Sequence, residues 1–191
     1  MKKTENVKQL AVGAVLTALV VILQLLGSFI RFGPFSISLV LVPIVLGAAL
    51  CNAYIGGWLG FVFGVTVLLS GDAAAFLVVN PIGTVITVLA KGLLCGLAAG
   101  LVYSAVKHKN NYLAVFLAAV VCPVVNTGIF LLGCKLFFMQ TITEWGLALG
   151  FANAAEYMFF GLAGGNFIFE FVANILLAPV ILRILNIFKK G

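Results

Sequence analysis

IGTVITVLAKGLLCGLAAGLVYSAV, residues Ile82–Val106, is an apolar run broken by a single charge, Lys91. At about 1.5 Å per residue, a helix of this length reaches roughly 37 Å, enough to cross a hydrocarbon core of about 30 Å. In lipid a helix satisfies every backbone hydrogen bond inside its own segment, which an open strand cannot do. Working outward, similar runs cover about Val7–Phe29, Phe35–Leu50 (interrupted by Pro43), Ala53–Leu69, Tyr112–Met139 and Asn166–Phe188. A spanning β-barrel requires apolar and polar residues to alternate in segments of about ten, and these runs are continuous. The expected fold is an all-α integral membrane protein: six transmembrane helices in a single polytopic domain over residues 1–191.

Composition agrees with that reading. The chain is 64% hydrophobic and 8% charged, with a mean hydropathy of +1.27, whereas soluble domains carry about 25% charged residues. No stretch is long and polar enough for a nucleotide-binding or large catalytic domain. The connectors are SGDAAAFLVVNP (Ser70–Pro81), a loop or partly re-entrant stretch, KHKNN (Lys107–Asn111), and a mixed segment from Gln140 to Gly165. The start, MKKTENVKQ, superficially resembles a signal peptide. The run that follows is too long for one and no small-residue cleavage site ends it, so it is expected to stay as the first membrane helix.

The net charge of +6 is concentrated at helix ends. With the N-terminus inside, the inner side collects Lys2, Lys3, Lys8, Lys107, Lys109, Arg183, Lys189 and Lys190, while Arg31, Asp72, Glu144 and Glu156 fall outside. This positive-inside asymmetry predicts a multi-pass protein of the cell membrane with both termini cytoplasmic. The charge sets orientation and calls for no nucleic acid.

Catalytic signatures are missing. There is no H-E-x-x-H, G-x-S-x-G or P-loop pattern. The four cysteines are scattered through apolar segments as small packing residues, and His108 sits among lysines in a connector. An enzyme, a metal site and a bound cofactor are not expected.

What the chain does carry is polarity at membrane depth, where it is costly and functional by default. Thr84, Thr87 and Lys91 form a column preceded by Asn80, with Lys91 roughly 13 Å down its helix. Asn166, Glu170 and Asn174 form another at i, i+4 spacing. Asn126 lies near mid-membrane and Lys135 nearer the outer end of the same helix. If the columns face one another, they line a pocket open to the outside above a sealed, apolar inner half. The plainer alternative is a structural Lys91–Glu170 ion pair with asparagines that only join helices. Gly56, Gly60, Gly64 and Gly92, Gly96, Gly100 form smooth stripes that allow close helix packing.

AVGAVLTA (Ala11–Ala18), FSISLVLVPIVLGAAL (Phe35–Leu50), YIGGWLGFVFGV (Tyr54–Val65) and NFIFEFVANILLAPVI (Asn166–Ile181) together resemble the substrate-binding S component of energy-coupling factor (ECF) transporters. The resemblance covers essentially the whole chain. It implies capture of a vitamin-like small molecule from outside, then delivery through a transmembrane coupling subunit driven by two cytoplasmic ATPase subunits, with the S component toppling in the membrane. It also implies that Ala14 and Ala18, with Ala11 beside them, dock on the coupling subunit. The candidate substrate site read from the polar columns comprises Asn80, Thr84, Thr87, Lys91, Asn126, Lys135, Asn166, Glu170 and Asn174, and the resemblance, which implies a substrate held toward the outer face, agrees with it. Riboflavin-type members place a lysine after the early asparagine of the last helix, where this chain has Glu170. The substrate is left open among riboflavin, pantothenate, folate, a thiamine precursor and an amino-acid-like compound. The competing function is a self-sufficient small-solute transporter or channel.

Overall fold

Helix α1 (Lys2–Phe29) buries Gly13, Leu16, Val20, Gln24 and Gly27, a stripe at three- and four-residue spacing. Its other faces leave Leu10, Ala11, Ala14, Val15, Ala18 and Ile22 exposed on the bundle surface. The structure is a computed structural model. It describes the backbone of residues 2–29, 31–32, 35–36 and 39–190, and the side chains of residues 7–29 and 39–188.

After α1, β1 (Arg31–Phe32) and β2 (Phe35–Ser36) pair antiparallel, with Arg31 opposite Ser36 and Phe32 opposite Phe35. Helix α2 follows over Leu41–Leu50, so the helical stretch expected from Phe35 begins later. Pro43 lies in its first turn, where a missing N–H removes no intrahelical bond. At about 1.5 Å per residue α2 is about 15 Å long, half a hydrocarbon core. It is also the most enclosed helix, burying Leu41, Pro43, Ile44, Val45, Gly47, Ala48 and Ala49 against α1 and the later helices.

Helix α3 (Ala53–Ser70) starts at Asn52, whose side chain accepts from Ile55 N at 3.0 Å, and stops at Gly71, which adopts φ +84°. The connector expected as a loop or re-entrant stretch contains a short helix, α4 (Ala74–Val79). Helix α5 (Pro81–Val106) is capped by Asn80 and starts with a proline at its first position, where proline is best tolerated. Asn110 caps α6 (Asn111–Phe137) by accepting from Tyr112 N and Leu113 N. The mixed segment after it forms α7 (Met139–Ala148) and α8 (Ala154–Glu156). From α8 the chain continues through a π-helical turn, Tyr157–Gly164, into α9 (Gly165–Lys190). The last helical rod therefore begins well before the expected Asn166. By length and composition, α1, α3, α5, α6 and the Ala154–Phe188 rod are each able to cross a membrane.

Helices α3 and α5 meet along the two glycine stripes. A Cβ added at Gly60 would meet the carbonyl oxygen of Gly92, and one at Gly96 would meet the carbonyl oxygen of Gly56. In lipid no hydrophobic effect drives helices together, so this backbone-to-backbone approach supplies packing that larger residues would prevent. At one end of the bundle Lys8 Nζ lies 4.8 Å from the Phe188 ring centroid. Asn52 Nδ2 donates to Gln9 Oε1 at the same end, at 3.2 Å. Both ends of the described chain and the α2–α3 turn are thus together.

Candidate solute-binding site

The C-terminal halves of α1, α3 and α6 and the N-terminal halves of α5 and α9 share the end of the bundle away from Lys8 and Phe188. There they surround a cavity of about 140 Å³, partly roofed by the Asp72–Phe76 segment and the π-helical turn. At about 10–15 Å³ per water this is room for roughly ten water-sized positions.

Thr84, Thr87, Lys91, Asn126, Asn166 and Glu170 all line this cavity. Glu170 is 2% exposed. Taking a carboxylate out of water costs several kcal/mol unless its oxygens are bonded. Here Asn126 Nδ2 donates to Oε2 at 3.3 Å and Asn166 Nδ2 to Oε1 at 3.2 Å. Lys91 interacts with Glu170 through space, but among the described residues the two form no ion pair within 4.0 Å. Its ammonium instead lies 5.3 Å from the Phe63 ring centroid and 5.6 Å from that of Phe130, facing the negative π clouds. Thr87 is buried with an unpartnered hydroxyl. Gly133 opposite leaves room for it, since a Cβ there would collide with the threonine side chain.

The other three residues expected in the site lie outside the cavity wall. Asn80 works as the α5 cap, accepting from Gly83 N at 2.9 Å, while its carbonyl accepts from the Thr84 hydroxyl at 2.8 Å. Asn174 is one turn below Glu170, 1% exposed, and donates to the Glu170 carbonyl oxygen at 2.8 Å. Lys135 is exposed in the last turn of α6, where a cation complements the helix C-terminus.

Several lining residues were not singled out in the sequence. Gln24 of α1 is 2% exposed and donates to Asp72 Oδ2 at 2.7 Å. Its signal was available: it is the one amide inside the apolar run that starts at Leu10. Phe63, Phe76, Phe130 and Phe138 supply aromatic wall. Phe76 is the hub, edge-on to Phe130, Phe138 and Trp145 with centroids 5.8, 5.1 and 5.6 Å away. Among seventeen phenylalanines, no local pattern marks these.

The cavity is half-open and its wall mixes aromatic and polar side chains; the described residues contain no cluster of three or more His, Cys, Asp or Glu suited to a metal ion. At the far end of α1, Ala11, Ala14 and Ala18 are all exposed.

No curated protein and no solved structure matches the chain. The family model described as "ECF transporter, substrate-specific component" matches residues 8–185, nearly the entire length. The predominantly helical, strongly apolar architecture and the near-complete match agree, and the chain belongs to the family of substrate-specific components of ECF transporters.

Proposed function

We propose that this subunit captures a vitamin-like small molecule from the outer side of the cell membrane and holds it in the cavity around Lys91 and Glu170. It then hands the molecule to a transmembrane coupling subunit powered by two cytoplasmic ATPase subunits. It performs no catalysis of its own. The observation that carries this is the cavity itself: buried polar groups from α1, α5, α6 and α9 converge at one end of the bundle.

The orientation follows from charge. Lys2, Lys3, Lys8, Lys107, Lys109, Arg183, Lys189 and Lys190 favour the cytoplasm for both termini, and the cavity then faces outward. Six crossings are proposed, with the apolar stretch that carries the short α2 counted as the second. The Lys8–Phe188 and Asn52–Gln9 contacts support an even count, because they hold both ends and the α2–α3 turn together. Ala11, Ala14 and Ala18 form the proposed docking face: small side chains on an exposed surface let a partner helix approach closely.

Purifying the chain from its native membranes, denaturing it and identifying released compounds by mass spectrometry tests the proposal. A stoichiometric small molecule, absent from Lys91→Ala, is expected, together with uptake that depends on co-expressed coupling and ATPase subunits. Uptake by the chain alone would overturn the proposal in favour of a self-sufficient transporter.

A further inference from the structure

Three amides in the cavity wall are oriented by two carboxylates. Gln24 donates to Asp72, and Asn126 and Asn166 donate to the two oxygens of Glu170. In each contact a carboxylate oxygen accepts from the amide NH₂, and the flipped amide would set oxygen against oxygen. The carbonyl ends are what remain. Gln24 Oε1, Asn126 Oδ1 and Asn166 Oδ1 are all buried without a partner, as is Thr87 Oγ1. Gln24, Thr87 and Asn126 are 2%, 5% and 2% exposed, so these are not groups that open solvent serves.

A buried polar atom left unpaired costs about 1–3 kcal/mol. Three unpaired acceptors around one cavity describe a site completed by donors that a ligand brings. The rest of the wall narrows the chemistry. Phe63, Phe76 and Phe130 offer ring faces and edges, which favour a flat aromatic guest. Lys91 has donors and no acceptor, so it takes one acceptor atom of the guest.

We infer that the solute captured at the site proposed above is a small nitrogen heteroaromatic bearing amino or ring N–H groups. Its N–H donors meet the carbonyl oxygens of Gln24, Asn126 and Asn166, its ring lies among the phenylalanines, and a ring nitrogen or other acceptor meets Lys91. An aliphatic carboxylate or a polyether would leave the three carbonyls unpaired and the aromatic wall unused.

The test compares two probes of one ring and opposite hydrogen-bonding character, 2,4-diaminopyrimidine and 2,4-dimethoxypyrimidine. Both are titrated against the intact chain in lipid nanodiscs, alongside identification of the compound released from the native protein. The diamino probe is expected to bind at least about tenfold more tightly, because a site built for donors rejects an analogue lacking them. That preference should shrink in Gln24→Leu and in Asn126→Leu. The wild-type comparison stands even if either variant fails to fold. Equal binding of the probes, or preference for the dimethoxy compound, overturns the inference. So does a stoichiometric released compound without N–H donors, which leaves the capture role intact. An empty native protein that binds neither probe overturns both.

Discussion

Replacing Glu170 with glutamine keeps the volume and removes an acceptor. In the native site both carboxylate oxygens accept from asparagine amides, at 3.3 Å from Asn126 and 3.2 Å from Asn166. The introduced glutamine side chain has one oxygen and one NH₂, so it can accept from only one of the two. The other asparagine meets an N–H and must flip, turning its own NH₂ toward the cavity where its carbonyl was. The ligand then loses one acceptor and faces a donor instead. Leaving a buried donor unpaired costs about 1–3 kcal/mol. At about 1.4 kcal/mol per tenfold, Kd is expected to rise about 5- to 150-fold. The fold should survive, since removing a 2%-exposed charge also removes its desolvation cost. Titration calorimetry with the co-purified compound measures the first effect, and thermal unfolding in the same detergent measures the second. Unchanged affinity in a normally folded Glu170→Gln protein would refute the assigned amide orientation and the role of Glu170 in the wall.

Lys91→Ala removes the only cation that the described residues place in the cavity wall. It should weaken ligand binding by about tenfold or more, as loss of a charged hydrogen bond of about 1.5–3 kcal/mol implies; equilibrium binding checks this. Ala14→Trp fills an exposed position on α1 and should leave binding by the isolated chain intact while blocking co-purification with the coupling subunit. Normal uptake by that variant would remove the docking assignment. Gly96→Ala would set a methyl against the Gly56 carbonyl oxygen and should cost about 1–3 kcal/mol, lowering the melting temperature measurably in a thermal scan. Gly128→Ala, exposed with nothing near its added methyl, should leave it unchanged or raise it slightly, since alanine favours helix.

Much of this protein was legible in sequence because the bilayer imposes a simple rule: an apolar run must become a helix, and a polar group within it must find a reason. Residues 82–106, the polar columns of α5 and α9 and the glycine stripes all followed from that rule, and the match over residues 8–185 agrees with the family they resemble. Boundaries were less legible. Helix α2 begins at Leu41 rather than near Phe35, and the last rod reaches back through a π-helical turn to Ala154. Both lie in apolar stretches where hydropathy alone does not distinguish helix from other buried backbone.

Period and depth along a helix can be read from one segment at a time. They put Thr84, Thr87 and Lys91 in one polar column and Asn166, Glu170 and Asn174 in another, without saying which columns meet. Which residues share a wall depended on how five helices rotate against one another. Rotation is decided by contacts between distant segments, such as the Gly60–Gly92 approach. Thus Gln24 joined the cavity from α1, Phe63 and Phe130 came to flank Lys91, and Lys135 turned outward. The amino-acid order alone determined the solvent, the helices and the cost of each buried polar group. Only the tertiary structure decided which carboxylate holds which amide, because hydrogen bonds 44 and 48 residues apart in the chain leave no local pattern to read.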